Sequence, residues 1–343
     1  MKAVFFRRHG GPDAVEYGDL PVPSPGPGQV LVRVRAAALN HLDIFVRRGI
    51  PGIIVALPHI LGSDGAGVVE SVGPGVTCLK SGDEVVLNPG IDCGKCEFCL
   101  KGEHSLCASF HLIGEHIAGT YAEYVVAPEI NARPKPAGLS WEEAAAFPLT
   151  FLTAWRMLVT KACAKPGETL LIIGIGSGVG VAALRIAKAL GLNVLVTSGS
   201  AEKLVRAKAL GADGGIDHSP GAFSREVRRI TGKRGVDIVL DSVGKATWKE
   251  SIASLARGGK LLTCGATTGS NPEEDIARIF WNQLTVYGST MGTHAEFADM
   301  LGMFREGRLS PVIDSVFPLS QAKEAMARLE EKRQFGKIVL RVD

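Results

Sequence analysis

The 343-residue chain is poor in several things, and each scarcity removes a class of function. It has no block of basic residues: Lys and Arg number 38 against 35 Asp and Glu, a formal charge of +3. Nothing in it runs like the basic tracks that follow a phosphate backbone, so no nucleic acid is expected as a partner and a small molecule is. No uninterrupted apolar run approaches the ~18 residues that span a bilayer, so no membrane partner is expected either. The opening Met1-Lys2-Ala3-Val4-Phe5-Phe6-Arg7-Arg8 has too few apolar residues before its arginines for a secretory core, which points to a cytoplasmic location. Disorder is excluded by 46% hydrophobic and 21% charged residues, both ordinary for globular proteins. At roughly 150 residues per domain, the length favours two domains.

Glycine is abundant, with 42 residues, and it punctuates two different rhythms. Up to about residue 128 the chain reads as short alternating strands between Pro and Gly turns, over 30–35, 67–72, 84–87 and 121–126. That pattern predicts antiparallel β structure, a partly open barrel. After Pro134-Lys135-Pro136 the period becomes helical: Ser140 and Glu143 form a capping-box pair ahead of apolar positions Ala144, Phe147, Phe151, Ala154, Trp155 and Leu158. From Thr169 strands (170–173, 194–196, 236–241, 260–263) alternate with helices (179–190, 202–210, 246–256). This alternation is the mark of an α/β fold, a doubly wound parallel sheet with helices on both faces. Two further helices over 296–304 and 320–328 lead to a strand at Lys337-Ile338-Val339-Leu340, which is expected to return to the first domain.

Two motifs carry chemistry. Cys93, Cys96, Cys99 and Cys107 fall in a C-x2-C-x2-C-x7-C pattern beside Gly94 and Gly102. Four thiolates in so short a loop suit one tetrahedral Zn2+ with no coordination position left open, hence a structural ion; paired disulfides or four plain thiols are the alternative. The second motif is Leu170-Leu171-Ile172-Ile173 running into Gly174-Ile175-Gly176-Ser177-Gly178-Val179-Gly180 and a helix. Strand, glycine turn and helix start together make a pyrophosphate cradle, because unpaired N–H groups and the positive end of the helix dipole face the anion. The turn is one residue longer than the standard dinucleotide fingerprint. At the next strand end, Thr197-Ser198-Gly199-Ser200-Ala201-Glu202-Lys203, no acid sits at the tip to hold a ribose 2′-hydroxyl. Ser198, Ser200 and Lys203 suit a 2′-phosphate instead, which favours NADP; Glu202 keeps NAD open.

These segments, with Ala38-Leu39-Asn40-His41-Leu42-Asp43, Ile60-Leu61-Gly62-Ser63-Asp64-Gly65-Ala66-Gly67 and Gly82-Asp83-Glu84-Val85, resemble the medium-chain dehydrogenase/reductase superfamily. The likeness is to its zinc-type alcohol dehydrogenase and quinone oxidoreductase group, over essentially the whole chain. The resemblance implies a GroES-like, mainly antiparallel catalytic domain (1–145 with 293–343, carrying a zinc lobe near 88–110) and a Rossmann domain (146–292). It further implies a cleft between them, hydride transfer with NAD(P)H, and assembly into a homodimer or homotetramer. By the same resemblance His41, Thr153, Ser242, Val243, Gly265, Ala266, Met291 and Gly292 join the glycine turn in holding the cofactor.

Where zinc alcohol dehydrogenases of this family place a Cys, a His-Glu pair and another Cys or acid, this chain has Asn40, Ser63-Asp64 and Leu149. Catalytic zinc, which needs three protein ligands and one open position, is not expected; a set rebuilt from His41, Asp64 and His59 is the other route. Asn40, Ser63 and Asp64 are the expected polar groups at the reacting carbonyl, in orienting or proton-relay roles, or else they merely fill the vacated zinc site. The expected reaction is hydride transfer to an activated C=C or quinone, such as an enone, quinone or enoyl thioester. An alcohol dehydrogenase with an atypical metal and a non-catalytic NADPH-binding sensor or structural protein are the alternatives.

Overall fold

A computed structural model describes residues 1–219 and 221–342, and the chain forms two compact units, 1–152 with 292–343 and 153–291.

The first unit is built on a seven-stranded sheet. Its longest strand, Gln29–Ala38, pairs antiparallel with Asp64–Val72 along one edge. Its other edge is shared. Tyr124–Pro128 takes Gln29 to Arg33, and the chain's last strand, Lys337–Arg341, takes Ala36 to Ala38. The chain's tail thus adds to this sheet, extended by the strand Ile313–Pro318, which lies parallel to Lys337–Arg341. Alanines make this junction close-packed: Ala36, Ala38 and Ala66 meet Ala144, Ala145 and Ala146, all buried. The linking helix is broken where one continuous helix was expected. Helix Trp141–Ala145 opens on the Ser140–Glu143 capping box, a second helix starts at Pro148, and residues 156–161 wind as a π-helix. Pro148 explains the break, since it brings no N–H to continue the first helix but suits the first turn of the next.

The second unit is a six-stranded, wholly parallel sheet in the order Gly214–Asp217, Asn193–Ser198, Thr169–Ile172, Val236–Asp241, Leu255–Thr263, Thr285–Gly288. Central strands read as unbroken apolar runs (Leu170, Leu171 and Ile172 are fully buried) because helices cover both faces. The chain order reverses between Thr169–Ile172 and Val236–Asp241, and the crevice beyond the strand ends at such a point is where open α/β sheets take ligands. No helix among the described residues is long and apolar enough to cross a membrane.

Candidate functional site

Register places the first cluster. Ala38 is opposite both Asp64 and Val339, so the chain just beyond Ala38 lies beside the start of Lys337–Arg341. There Asn40, Asp64 and Lys337, all buried, close into a polar knot. Lys337 Nζ donates to Asn40 Oδ1 at 2.6 Å and to Asp64 Oδ2 at 2.8 Å, and Asn40 Nδ2 donates to the same Asp64 oxygen at 2.9 Å. The other oxygen of Asp64 accepts the Leu149 N–H at 2.8 Å. Ser63, next in the chain, is fully buried with a hydroxyl that has no protein partner. Both Asp64 oxygens are therefore engaged and its charge is met by a resident ammonium.

Behind the knot, Asp43 Oδ2 accepts the Asn40 N–H at 2.7 Å and the Tyr121 hydroxyl at 2.6 Å, while Oδ1 is buried without a partner. Burial pushes the Asp43 carboxyl up to about 6, in spite of the Tyr121 and Asn40 hydrogen bonds that favour its charged form. The two histidines of the conceivable rebuilt metal set are otherwise occupied. His59 reaches the Gly114 carbonyl at 3.1 Å, and His41 packs edge-on against Phe45. Among the described residues, His41, His59 and Asp64 do not converge as a metal-binding group.

The second cluster is the cysteine loop. Its base is pinned by Asn131, whose Nδ2 donates to the carbonyls of Asn88 and Gly90 at 2.8 and 2.6 Å. All four sulfurs lie within 4.8 Å of one another and none is in a disulfide. Sγ–Sγ separations of 3.9 Å (Cys93–Cys99) and 3.4 Å (Cys96–Cys99) bracket the ~3.8 Å edge of a tetrahedron with 2.3 Å metal–sulfur bonds. Backbone N–H groups of Cys99 and Ala108 pull the Cys96 thiol down to about 6. Burial and the neighbouring Cys96 and Cys107 sulfurs push Cys99 up to about 12. The thiolate form is favoured at one sulfur and opposed at the next, and the four together form a set of donors that could hold one metal ion.

The third cluster lies in the second unit. Ser177 caps the helix Gly178–Ala189, its Oγ accepting the Gly180 N–H at 3.0 Å. Gly174 has φ +71° and donates to Thr197 Oγ1 at 3.1 Å, and a Cβ on Gly180 would meet Ser177 Oγ at 2.9 Å and the Gly174 carbonyl at 3.1 Å. Glycine is required at both positions for the turn to close this tightly. Gly176, Gly178 and Val179 complete the turn and the start of that helix. At the next strand end Ser198 Oγ accepts the Ser200 N–H at 3.0 Å, and Ser200 caps the helix Ala201–Ala209, its Oγ accepting the Lys203 N–H. Ser242 and Val243 follow Asp241, a fully buried carboxylate that accepts the Val243 and Gly244 N–H groups and the hydroxyls of Thr247 and Ser251. Gly265 and Ala266 follow the strand Leu255–Thr263, and Thr153 donates to the sulfur of Met291 at 3.8 Å. His41 and Gly292 belong to the first unit.

Comparison with known proteins identifies the family. A family model described as "Alcohol dehydrogenase GroES-like domain" matches residues 26–137, and one described as "Zinc-binding dehydrogenase" matches 178–306. An "NAD-dependent alcohol dehydrogenase" of Sulfurisphaera tokodaii is 34% identical, covering 99% of both chains. The chain belongs to the medium-chain dehydrogenase/reductase superfamily. Human "Quinone oxidoreductase" is 30% identical over 95% of this member and 92% of its own length. A crystal structure titled "NAD-dependent alcohol dehydrogenase" is 50% identical, covers both chains completely and superposes with a TM-score of 0.96. The present superfamily member is an NAD(P)-dependent oxidoreductase, which removes the non-catalytic alternative. Its GroES-like and Rossmann folds are those expected from sequence.

Of the three residues expected at the reacting carbonyl, the structure binds Asn40 and Asp64 directly to each other. It joins them to Lys337, which the sequence reading missed. The missing signal was partly present: Lys337 opens a strand whose next three residues are all apolar and buried, a place where a lysine needs an anion.

Proposed function

We propose that this oxidoreductase transfers hydride from NAD(P)H to an acceptor that is already electrophilic, a quinone, an enone or an enoyl thioester, without a catalytic metal. The observation that carries the reading is the engagement of Asp64. Its oxygens are taken by Lys337, Asn40 and the Leu149 N–H, so the position that family zinc enzymes give to ligands is filled by a self-neutralising knot. A metal there would have to displace an ammonium 2.8 Å from the carboxylate. Bound NAD(P)H supplies the hydride. Asn40 and Asp64, whose donors and charge are spent on Lys337, Ala38, Leu149 and each other, hold the chain beside Ser63 in place, and the unpartnered Ser63 hydroxyl is the donor left to stabilise negative charge on the acceptor oxygen.

The cysteine loop, by its tetrahedral sulfur spacing, holds one structural Zn2+. The glycine turn holds the dinucleotide pyrophosphate. NADP is the favoured form: Ser198, Ser200 and Lys203 stand at the strand end with no aspartate at the tip, and the Oγ atoms of both serines accept backbone N–H groups, which leaves their O–H bonds to donate to a 2′-phosphate. Assembly as a homodimer or homotetramer is supported by Thr285–Gly288, the last strand of its sheet. It lies near the exposed apolar side chains of Ile276, Phe280 and Trp281 in the preceding helix.

The names of the alcohol dehydrogenase relatives favour a second reading, oxidation of an alcohol with NAD+ at an atypical metal. Initial rates of NADPH and NADH oxidation with quinones, enones, enoyl thioesters and aldehydes, set beside NAD(P)+ reduction by alcohols, separate the two. Turnover of a conjugated acceptor that survives a mild chelator is expected. Alcohol oxidation abolished both by the chelator and by Asp64→Asn, with loss of a bound ion, overturns the reading.

A further inference from the structure

One more convergence of metal-ligating side chains stands in the first unit, apart from the thiolates. Asp92, His104 and His294 each present a ligand atom, and these atoms lie within 4.8 Å of one another. Asp92 and His104 belong to the cysteine loop, whereas His294 opens the helix His294–Arg305, 202 positions after Asp92. We propose that these three side chains form a second metal site, a His2Asp centre that takes Zn2+ and clips the cysteine loop to that helix.

The donor set is the first argument. Two imidazoles and one carboxylate, with a fourth position open to water, are a common zinc environment with bonds of about 2.0–2.2 Å. Geometry is the second. Asp92 Oδ2 and His294 Nε2 are 2.7 Å apart, and the edge of a zinc tetrahedron is about 3.3 Å, so this pair opens by roughly half an ångström as the ion enters. The His104 and His294 rings meet edge-to-face with centroids 4.5 Å apart, a separation that lets both present a nitrogen to one centre. His104 also has an unmet need. His104 Nδ1 is buried with no hydrogen-bond partner, a condition that costs free energy and that an ion relieves.

An outer partner stands behind His294. His294 Nδ1 lies 3.3 Å from Asn88 Nδ2. Coordination at Nε2 requires the neutral tautomer whose single ring proton is on Nδ1, so the proton that Nε2 shares with Asp92 moves to Nδ1 as the ion enters. Turning Oδ1 to that proton costs the Asn88 carboxamide its bond from the Gly90 N–H at 3.2 Å, whereas a carboxylate at position 88 would accept from both. Metal-bound histidines are oriented in this manner by a carboxylate or carbonyl behind them.

Metal counting with residue-specific variants tests the site. The whole protein is stripped of labile ions with a mild chelator, saturated with Zn2+, passed through a desalting column and assayed for zinc by mass spectrometry. Wild type is expected to hold two ions per chain, while His104→Ala and His294→Ala each hold one and keep the thiolate-bound ion. Asp64→Asn is expected to keep both. Co2+ added to the stripped protein should give visible d–d bands without new thiolate-to-metal charge transfer, and Asn88→Asp should tighten this ion by roughly tenfold, an effect that lost packing does not produce. One ion per chain in saturated wild type overturns the proposal and leaves the metal-free reading of Asp64 intact. Two ions in both histidine variants also overturn it. An ion lost from Asp64→Asn but not from the histidine variants sinks both at once.

Discussion

The cysteine loop and the Asn40–Asp64–Lys337 knot lie in the same unit, and they treat charge in opposite ways. The loop gathers four sulfurs within 4.8 Å of one another; the thiolate form is encouraged at Cys96 and resisted at Cys99. The knot gathers one carboxylate, one ammonium and one carboxamide, and each satisfies the others at 2.6–2.9 Å. One region spaces its sulfurs as a metal's ligands would be spaced, and the other has built the cation into its backbone register. The contrast teaches that ligand-like residues near a family's metal position are no guide to metal until their oxygens and nitrogens have been accounted for.

The largest effect should come from depriving the loop of its ion. Cys99→Ser is expected to remove the thiolate-bound zinc and to destabilise the first unit by more than about 5 kcal/mol, lowering its melting temperature by at least ~10 °C. A thiol count gives an independent reading: Cys78 and Cys163 are exposed and should react in the native protein, with the four loop thiols joining them only after a strong chelator. A loop that keeps its stability when zinc is gone would erase the contrast.

The knot should break differently. Lys337→Met leaves Asp64 buried without its counter-charge, and the loss expected from denaturant unfolding is about 3–5 kcal/mol. Adding Asp64→Asn removes the stranded charge and should recover most of it, whereas a partner lost from the loop has no such rescue. Additive losses in the double variant would show that the two side chains do not compensate each other.

Much of this was legible in the chain, and the limit has a physical cause. The cysteine spacing and the glycine turn are local, each contained in fifteen residues or fewer, so their geometry is written in consecutive positions. Strand and helix alternation over 169–263 likewise reports a parallel sheet in which most neighbouring strands are successive in the chain. Lys337 is 273 positions from Asp64, and only the pairing of the last strand with Ala36 to Ala38 brings them together. No local pattern encodes that register. The break at Pro148 was readable, but the apolar period ran through it and masked the change of helix.

A smaller test concerns Asp43, the exception inside the compensated region. It sits behind Asn40 with one oxygen bonded and the other buried alone, and burial raises its carboxyl to about 6 from the ordinary 3.8. Below pH 3.8 the group is protonated in both states. Between 3.8 and about 6 the folded chain holds a proton that the unfolded chain has released, so its contribution to stability is full below that window and is lost as pH rises through it. The loss amounts to about 3 kcal/mol at most, at 1.36 kcal/mol per pH unit. Asp43→Asn keeps an oxygen for the Asn40 and Tyr121 donors but cannot ionise, so the difference in unfolding free energy between wild type and variant isolates this group from every other carboxylate. That difference should shift in the variant's favour from pH 4 to pH 7 by up to the same amount. A difference that stays flat would mean that Asp43 carries its charge at no cost, and that the neutralising reach of Lys337 extends one residue deeper than the hydrogen bonds do.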